Sequence, residues 1–463
     1  MIEVQLSQLA EVLGAELVGA DKVIGNVSTD TRKIADKTLF IALKGERFDA
    51  HDFCLNAMEN GADALLVSRH LSVELPQLVV KDTRLALGNL GAWLKQQMEL
   101  QYGLKTLALT GSCGKTTVKE MAAAILGQKG KVLATAGNFN NDIGVPLTLL
   151  RLTPEYEFAV VELGANHQNE ISYTTNLVKP QVALINNLAA AHLEGFGSLK
   201  GVAKAKGEIF EGLTPFFQES GTRATAILNL DSNDQVLWQP LLAGHQVVTF
   251  SSSQSAADFS ASDIIINSQG RACFTMHTPC GDTSVTLTLP GAHNVANALA
   301  AAAMSMAMGV SLEQVKSGLE QVENVKGRVD VTQPREGLRL IDDTYNASVA
   351  SVKAAIDLLA TFSGQRWFVL GDMAELGDDS AALHREVAEY AMDKSLDCVL
   401  TYGKASAVVS ELNRGQHFDD KSALIQLLTE QLNSQKTEVT VLAKGARSSR
   451  MEEVIAALQE NTQ

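Results

Sequence analysis

A glycine-rich turn that leads directly into a lysine and two threonines is the first stretch of this chain with a pattern suited to chemistry. The turn and its flanks, within the run LALTGSCGKTTV at 107–118, are Thr110, Gly111, Ser112, Cys113, Gly114, Lys115, Thr116 and Thr117. When such a turn lies between a strand and a helix, its backbone N–H groups and the positive N-terminal end of the helix dipole point to the same place. Phosphate binds at such a place. In sites of this kind the lysine reaches the β- and γ-phosphates and the threonine after it holds Mg²⁺. The pattern therefore predicts a nucleotide-phosphate site.

The motif departs from the general pattern G-x-x-x-x-G-K-[ST] at one position, because Leu109 stands where the first glycine is expected. A plain tight turn is the alternative, since short glycine-lysine patterns occur by chance. The residues before the turn are strand-like and residues 118–126 have a helical pattern, which is the context that the phosphate site requires. That context favours the phosphate site.

Five near-continuously apolar runs indicate strands of a parallel sheet that is buried on both faces. They lie at 106–110, 158–161, 182–185, 226–230 and 247–250. Several of these runs end in polar residues, namely Glu162, Asn186, Asn187, Asn229 and Asp231. Ligands of open α/β sheets bind outside the carboxyl ends of the strands. We therefore expect these side chains at the edge that carries the phosphate loop.

Two of the polar residues near that edge are candidate metal ligands. A carboxylate at Glu162 could complete the shell of a Mg²⁺ ion, which prefers one or two carboxylates together with phosphate and water. The alternative is a surface acid in a loop. His192 follows a buried strand in a long loop, and it could be either a ligand or an ordinary structural or solvated histidine.

The helices that follow supply further polar residues whose roles the pattern leaves open. The pattern predicts that Lys204 and Lys206 are ordinary solvent-exposed lysines of a helix, and nothing in their spacing distinguishes one from the other. Asn294 begins a very alanine-rich helix, where its amide could contact an adenine edge or simply cap the helix. Arg328, Asp342 and Asp343 could close a nucleotide site from a separate domain.

The chain length of 463 residues suggests about three domains. Short apolar strands alternate with helices throughout, which is typical of an α/β fold. We predict a small N-terminal α/β domain at 1–98, a central domain at 99–312 with a parallel sheet and the phosphate loop, and a C-terminal Rossmann-like α/β domain at 313–463. Asp82 or Thr83 is the predicted cap of a helix that ends near residue 99.

Composition excludes several classes of partner. The net charge of −15 argues against a nucleic-acid-binding or anionic-membrane surface. The N-terminus lacks a basic segment followed by an apolar one, and the longest apolar helical run is too short to span a bilayer. The five cysteines form no C-x-x-C pair, which fits free thiols in a reducing compartment. We expect a cytoplasmic protein with no membrane insertion and no nucleic-acid partner.

The phosphate loop, TGSCGKTT, resembles the T-G-(T/S)-x-G-K-(T/S) loop of the Mur ligases, the ATP-dependent amino-acid and peptide ligases of peptidoglycan synthesis. That loop does not call for glycine at the position of Leu109. Further stretches match in the order of the family, and the likeness covers essentially the whole chain. They are NNDIGVP at 140–146, ELGA at 162–165, His192, Ala205 with Lys206, His293 with Asn294, Gly327 with Arg328, and Asp343.

The resemblance implies an ATP-dependent P-loop domain that holds two Mg²⁺ ions. Lys115, Thr116 and the loop amides would hold the ATP phosphates, and Thr116 with Glu162 the first Mg²⁺. His192 and a carbamylated Lys206 would serve the second ion, because the modified lysine of the family follows an alanine in this helix. Asn294 would contact adenine, while Arg328 and Asp343 would contact the γ-phosphate and the ribose.

Within the family, several stretches resemble the ligase that acts last in the series. The resemblance implies that the chain, as a monomer, joins D-alanyl-D-alanine to UDP-N-acetylmuramoyl-tripeptide, with the dipeptide bound by the third domain. The UDP end would be held by Ser28, Thr29, Arg32, Lys44, Gly45, Arg47 and Phe48. Another Mur-family ligase or a folylpolyglutamate-type ligase is the alternative, and a nucleotide switch that forms no bond is a rival from a different class.

Overall fold

Three sheets, each covered by helices, follow one another along the chain in a computed structural model that describes residues 1–45 and 48–460. The N-terminal unit contains a five-stranded sheet in the order β2-β7-β6-β5-β4, and a separate antiparallel pair of β1 with β3. Its elements are β1 (Val4–Gln5), α1 (Leu6–Leu13), β2 (Glu16–Val18), β3 (Val23–Ile24), β4 (Asn26–Ser28), β5 (Thr38–Ile41), α2 (Cys54–Glu59), β6 (Ala64–Val67), β7 (Gln77–Val79) and α3 (Thr83–Tyr102). A short 3₁₀ helix at Ala50–Phe53 precedes α2.

The helix α3 joins the N-terminal unit to the central one. Its N-cap is Asp82, whose side chain accepts hydrogen bonds from the backbone N–H groups of Arg84 and Leu85. Asp82 was one of the two predicted caps. The helix ends at Gly103, whose left-handed backbone terminates it. The predicted boundary after residue 98 falls inside the last turn of this helix.

The central unit is built on a nine-stranded sheet in the order β16-β15-β14-β13-β12-β11-β8-β10-β9. Its strands are β8 (Lys105–Thr110), β9 (Val132–Ala134), β10 (Phe158–Glu162), β11 (Val182–Ile185), β12 (Thr225–Asn229), β13 (Gln246–Ser251), β14 (Phe259–Ile266), β15 (Arg271–Thr278) and β16 (Gly281–Pro290). Its helices are α4 (Lys115–Gly127), α5 (Gly144–Leu149), α6 (Glu170–Val178), α7 (Leu193–Phe196), α8 (Leu199–Gly207), α9 (Leu213–Ser220), α10 (Gln235–Leu242), α11 (Asn294–Met306) and α12 (Leu312–Leu319), with a 3₁₀ helix at Glu208–Gly212.

The strand β8 is central to this sheet, and it is buried on both faces. Leu107 and Leu109 lie in the apolar cluster that contains α4 and α11, while Ala108 lies in the cluster on the opposite face. The five predicted runs form β10, β8, β11, β12 and β13, and the pairs between these neighbours are all parallel, which confirms the prediction. The strands β9 and β14 also pair parallel to their neighbours β10 and β13, although neither was predicted. The strands β14, β15 and β16 pair antiparallel and were not predicted.

The missed strands differ from the others because one of their faces is partly exposed. Buried and less buried residues alternate along β15, so the segment lacks the continuous apolar run of a strand covered on both faces. The helix α12, whose residues Val315 and Leu319 lie in the same apolar cluster as α4, belongs to the central core. The domain boundaries at 98 and 312 stay predictions.

The C-terminal unit contains a six-stranded sheet in the order β17-β18-β22-β19-β20-β21, parallel except for the β17–β18 pair. Its elements are β17 (Asp330–Arg335), β18 (Leu338–Asp343), α13 (Val349–Ala360), β19 (Gln365–Gly371), α14 (Ser380–Asp393), β20 (Cys398–Tyr402), α15 (Ala407–Leu412), β21 (Gln416–Phe418), α16 (Lys421–Ser434), β22 (Val439–Lys444) and α17 (Glu452–Glu460), with 3₁₀ helices at Gly377–Asp379 and Arg447–Ser449. The α/β prediction is confirmed in all three units.

Candidate nucleotide and metal site

The phosphate loop leaves the sheet between its central strands, where β8 lies between β11 and β10. Gly111 has φ 155° and Gly114 has φ 74°, and the first turn of α4 follows Gly114 directly. The first N–H groups of a helix have no partners within the helix, so they are free to bind an anion. The geometry is that of the predicted phosphate site.

The Lys115 side chain folds back over the loop. Its Nζ donates hydrogen bonds to the carbonyl oxygens of Gly111, at 2.8 Å, and Ser112, at 3.4 Å. Burial lowers the pKa of Lys115 from its usual range. The fold therefore holds this amine close to the loop, where carboxylates balance little of its positive charge. An anionic phosphate would supply the missing negative charge.

Two loop N–H groups that the motif offered to phosphate are already engaged by Asn187. The Ser112 N–H donates to the backbone oxygen of Asn187, at 3.0 Å, and the Cys113 N–H donates to its side-chain Oδ1, at 2.8 Å. The role of Asn187 as the brace of the loop was missed, although its place after the β11 strand was noted. The loop N–H groups that these two bonds leave for the predicted phosphate are those from Gly114 onward.

Glu162 and Thr116 meet at the end of β10, as the metal prediction requires. The Thr116 hydroxyl donates to Glu162 Oε2, at 2.9 Å, and Asn140 Nδ2 donates to Oε1, also at 2.9 Å. Glu162 is buried, which excludes the alternative of a surface acid. A hydroxyl and a carboxylate are hard oxygen donors, so this pair fits Mg²⁺. Asn140, which orients the carboxylate, was missed as a site residue.

The structure separates the two lysines of α8. Lys204 is exposed, whereas only 1% of Lys206 is accessible. Burial, together with the charge of Lys115, lowers the pKa of Lys206 to about 7. In the described part of the chain no carboxylate forms an ion pair with Lys206, although its Nζ lies 5.3 Å from the centre of the Phe196 ring.

His192 also lies near this aromatic ring. The centres of the His192 and Phe196 rings are 6.3 Å apart in an edge-to-face arrangement, so His192 and Lys206 both border Phe196. His192 has a left-handed backbone with φ 55°. Its Nδ1 contacts the carboxylate of Glu375 in the C-terminal unit. The contact between Glu375 and His192 was not predicted.

Asn294 is the first residue of α11, and the N-cap is His293, so the capping alternative for Asn294 is wrong. Only 3% of the residue is accessible, its Nδ2 donates to the Pro290 carbonyl at 2.6 Å, and its Oδ1 accepts from Asn297 Nδ2 at 2.8 Å. Asn297 was missed, because one asparagine inside an alanine-rich helix carries no distinct signal.

The C-terminal unit contributes an arginine and an acid close to the loop. The Arg328 guanidinium stacks on the Tyr345 ring at 4.1 Å, and the buried Asp343 accepts from Lys444 Nζ at 2.6 Å. Asp342 instead accepts from the Thr344 hydroxyl and N–H. Cys113 Sγ lies 3.3 Å from Ser348 Oγ, so this unit touches the phosphate loop itself.

The described residues among those predicted to bind the UDP end lie at or after the carboxyl ends of two neighbouring strands of the N-terminal sheet. The strands β4 and β5 are parallel neighbours. Ser28 is the last residue of β4 and Arg32 follows it, while Lys44, Gly45 and Phe48 follow β5. Ser28 is buried, whereas Lys44, Gly45 and Phe48 are exposed. Arg32 donates to Asp30, which holds the pKa of that carboxyl at about 2. Thr29 follows β4, and Arg47 lies outside the described residues.

Residues 1–45 and 48–460 hold no group of three or more His, Cys, Asp or Glu side chains arranged for a metal ion. Hydroxyl and modified-lysine ligands are not among those four side-chain types, so the Thr116–Glu162 pair is compatible with this finding. Within the same residues, none of the helices has the length and hydropathy needed to cross a membrane.

Alanine at Gly114 should disable the loop, because an added Cβ would lie 2.6 Å from Asn297 Oδ1 and 2.8 Å from Asn186 Nδ2. The left-handed backbone adds roughly 1–2 kcal/mol for any non-glycine residue. We expect ADP affinity, measured by titration calorimetry, to fall by about tenfold or more. Gly127→Ala, at the open end of the same helix, is the matched control. Equal affinities in the two variants would contradict this assignment.

Models of known families match this chain in three consecutive segments. The Mur ligase family, catalytic domain, matches residues 23–102, the Mur ligase middle domain matches 109–305, and the Mur ligase, glutamate ligase domain, matches 327–447. The segments correspond to the three sheets. They also agree with the resemblance that the phosphate loop and its companion motifs indicated.

Individual relatives are similar over the full length. The UDP-N-acetylmuramoyl-tripeptide--D-alanyl-D-alanine ligase of Escherichia coli (strain K12) is 54% identical over 462 residues, covering 100% of this chain and 99% of that protein. A crystal structure of MurF from Acinetobacter baumannii aligns with a TM-score of 0.93 at 38% identity, over 99% of both chains. MurF from Thermotoga maritima in complex with ADP aligns with a TM-score of 0.80 at 26% identity, over 94% of this chain and 97% of that one.

Proposed function

The chain belongs to the Mur ligase family, and we propose that it joins D-alanyl-D-alanine to UDP-N-acetylmuramoyl-tripeptide, converting ATP to ADP and phosphate. The observation that carries this proposal is the 54% identity to a ligase of that name across all three units. A relative restricted to the central domain would have supported nucleotide binding alone. The product would be a UDP-N-acetylmuramoyl-pentapeptide, a precursor of peptidoglycan.

The first chemical step brings two anions together. The terminal carboxylate of the tripeptide attacks the γ-phosphorus of ATP, so an acyl–oxygen–phosphorus linkage forms and the bond to ADP breaks. Lys115 at the loop and Arg328 from the C-terminal unit reduce the repulsion and stabilise the charge that spreads over the phosphoryl oxygens. The stacking of Arg328 on Tyr345 would hold its guanidinium in place.

The second step forms the peptide bond. The uncharged amine of D-alanyl-D-alanine attacks the acyl carbon, phosphate leaves, and the amine nitrogen loses a proton. We assign the dipeptide to loops of the C-terminal unit around residues 343–346 and 372–375. The contacts of Ser348 with Cys113 and of Glu375 with His192 support this assignment, because they bring those loops against the phosphate site.

Thr116 and Glu162 would hold one Mg²⁺, and His192 with a carbamylated Lys206 would hold a second. The ions, when bound, supply positive charge beside the phosphates. The unmodified Lys206 amine is not a ligand for a hard cation, whereas a carbamate offers anionic oxygens. The buried position of Lys206 and its pKa of about 7 support the modification, since an uncharged amine is the form that reacts with CO₂.

The decisive experiment measures ADP release with ATP, UDP-N-acetylmuramoyl-tripeptide and either D-alanyl-D-alanine or single amino acids. We expect release to depend on the dipeptide, with a pentapeptide product identified by mass. Release driven by a single amino acid or by a folate would favour the alternative ligases instead. Phosphate release without any amine acceptor would indicate a nucleotide switch.

A further inference from the structure

The loop that follows β19 reaches from the C-terminal unit to the proposed metal site. Asp372, at its start, accepts hydrogen bonds from the backbone N–H groups of residues 404–406, at 2.8 to 3.0 Å. Further along the loop, the carboxylate of Glu375 contacts His192 of the central unit. We call residues 372–376 the bridging loop. Its first residue is therefore held by its own unit, while its fourth residue contacts the neighbouring one.

Glu375 reaches His192 from a backbone conformation that residues with a side chain rarely adopt. Its φ is 61°, in the left-handed region. Such a conformation is unfavourable at a residue other than glycine, and it persists where the surrounding structure fixes it. Met373 and Leu376, on either side of Glu375, are buried in an apolar cluster of the C-terminal unit. The unusual conformation therefore depends on anchors within that unit.

His384, a residue of α14, is an anchor in the middle of the bridging loop. Its side chain is fully buried. Its Nε2 accepts a hydrogen bond from the Met373 N–H, at 3.1 Å, and its Nδ1 donates to the Ser380 carbonyl, at 2.8 Å. A backbone N–H only donates and a carbonyl only accepts, so the imidazole is neutral and carries its proton on Nδ1. A buried N–H without a partner is costly, so this bond fixes the loop two residues before Glu375.

We propose that His384 is a positioning residue of the ligase reaction, because it holds the bridging loop where the incoming dipeptide meets the phosphate site. The inference rests on the proposed function, in which this loop helps to bind D-alanyl-D-alanine. His384 is fully buried and bonds to the loop backbone, so it acts through the loop and does not touch the substrate. A small displacement of a reacting amine is enough to lower the rate of attack. The ATP phosphates, at the loop of the central unit, would keep their contacts.

The test measures KM for D-alanyl-D-alanine and KM for ATP by steady-state ADP release on the full chain. An asparagine amide reaches only the position of Nδ1, so His384→Asn leaves the Met373 N–H without a partner. We expect it to raise KM for the dipeptide by about tenfold, the factor that one lost hydrogen bond produces. KM for ATP should be unchanged. A glutamine amide reaches the position of Nε2, so His384→Gln should restore most of the dipeptide affinity.

His417→Asn is the matched control, because His417 belongs to the same unit and its Nδ1 bonds to the Thr401 hydroxyl instead of the bridging loop. It should keep both KM values. An unchanged dipeptide KM in His384→Asn, or equal rises in both of its KM values, overturns the inference. A glutamine variant as impaired as the asparagine variant would also overturn it, because the acceptor at Nε2 would then not be what matters.

The ¹⁵N spectrum of the histidine side chains tests the same hydrogen bond without any change to the protein. The signal of His384 is identified by its absence from His384→Gln, and we expect a proton on Nδ1 alone. A proton on Nε2 would overturn the inference. ADP release that ignores the dipeptide in the unsubstituted protein would remove the ligase proposal and the inference together. Release that requires the dipeptide, combined with an unchanged KM in His384→Asn, removes the inference alone.

Discussion

Replacement of Lys115 by alanine is expected to lower kcat/KM for ATP by about a thousandfold, in the range found when a group that stabilises transition-state charge is removed. Its Nζ lies 2.8 Å from the Gly111 carbonyl and directly over the phosphate loop. Burial lowers its pKa, although the charge of Glu162 opposes that shift. The interaction of a cation with phosphate is strongest in such poorly hydrated surroundings.

The burial of Lys115 also predicts that the substitution, although it lowers activity, does not lower the stability of the fold. A lysine whose folded-state pKa is lowered disfavours the folded state below its unfolded pKa, because the amine must be charged there while poorly solvated. Lys115→Ala should therefore unfold at the same or a higher temperature than the unsubstituted protein. Steady-state ADP release measures the activity of the variant, and a thermal melt of the same preparation measures its unfolding temperature.

Lys115→Arg tests whether charge alone is sufficient. The guanidinium is planar and larger than the ammonium, so it cannot occupy the same place between the loop carbonyls. We expect it to recover only part of the lost activity. Less than a tenfold loss in Lys115→Ala, or full activity in the arginine variant, would contradict the assigned role.

The phosphate loop could be predicted from the sequence because its chemistry is local. Its function depends on backbone N–H groups, two glycines and one lysine within eight residues, and a preceding strand and a following helix were visible as patterns. Glu162 was found for a related reason. The parallel sheet brings strand ends to one edge, so a single carboxylate after an apolar run points to the site.

The residues that brace the site could not be found in this way. Asn186 and Asn297 are separated by 111 positions, and Lys444 lies 101 positions from Asp343. Nothing in the spacing of single polar residues shows that they meet. The difference between Lys204 and Lys206 has a similar origin, since both lie on one short helix and only the packing of α8 buries the second. The family resemblance, rather than helical periodicity, favoured Lys206.

Replacement of Lys206 by alanine is expected to lower kcat by about a hundredfold or more while leaving the fold intact, because it removes the anionic oxygens proposed for the second Mg²⁺. Carbamylation joins the uncharged amine to CO₂, forms a nitrogen–carbon bond and releases a proton. A buried cation beside Lys115 thereby becomes an anion. The like-charge repulsion that contributes to the pKa of about 7 is converted into attraction.

The pKa gives the modification a definite dependence on pH. With a pKa of about 7, roughly nine-tenths of the amine is uncharged at pH 8 and roughly one-tenth at pH 6. We expect a ¹³C carbamate signal after incubation with labelled bicarbonate, stronger at pH 8 than at pH 6. Observation of this signal requires neither activity nor bound nucleotide.

Lys204→Ala is the matched control, since it removes an exposed lysine from the same helix. It should keep both the activity and the ¹³C signal, whereas Lys206→Ala should lose both. Formate or acetate, which can place a carboxylate in the space left by the truncated side chain, should restore part of the activity of Lys206→Ala. Unchanged activity in Lys206→Ala, or a carbamate signal that survives the substitution, would show that this buried lysine contributes only to packing beside Phe196.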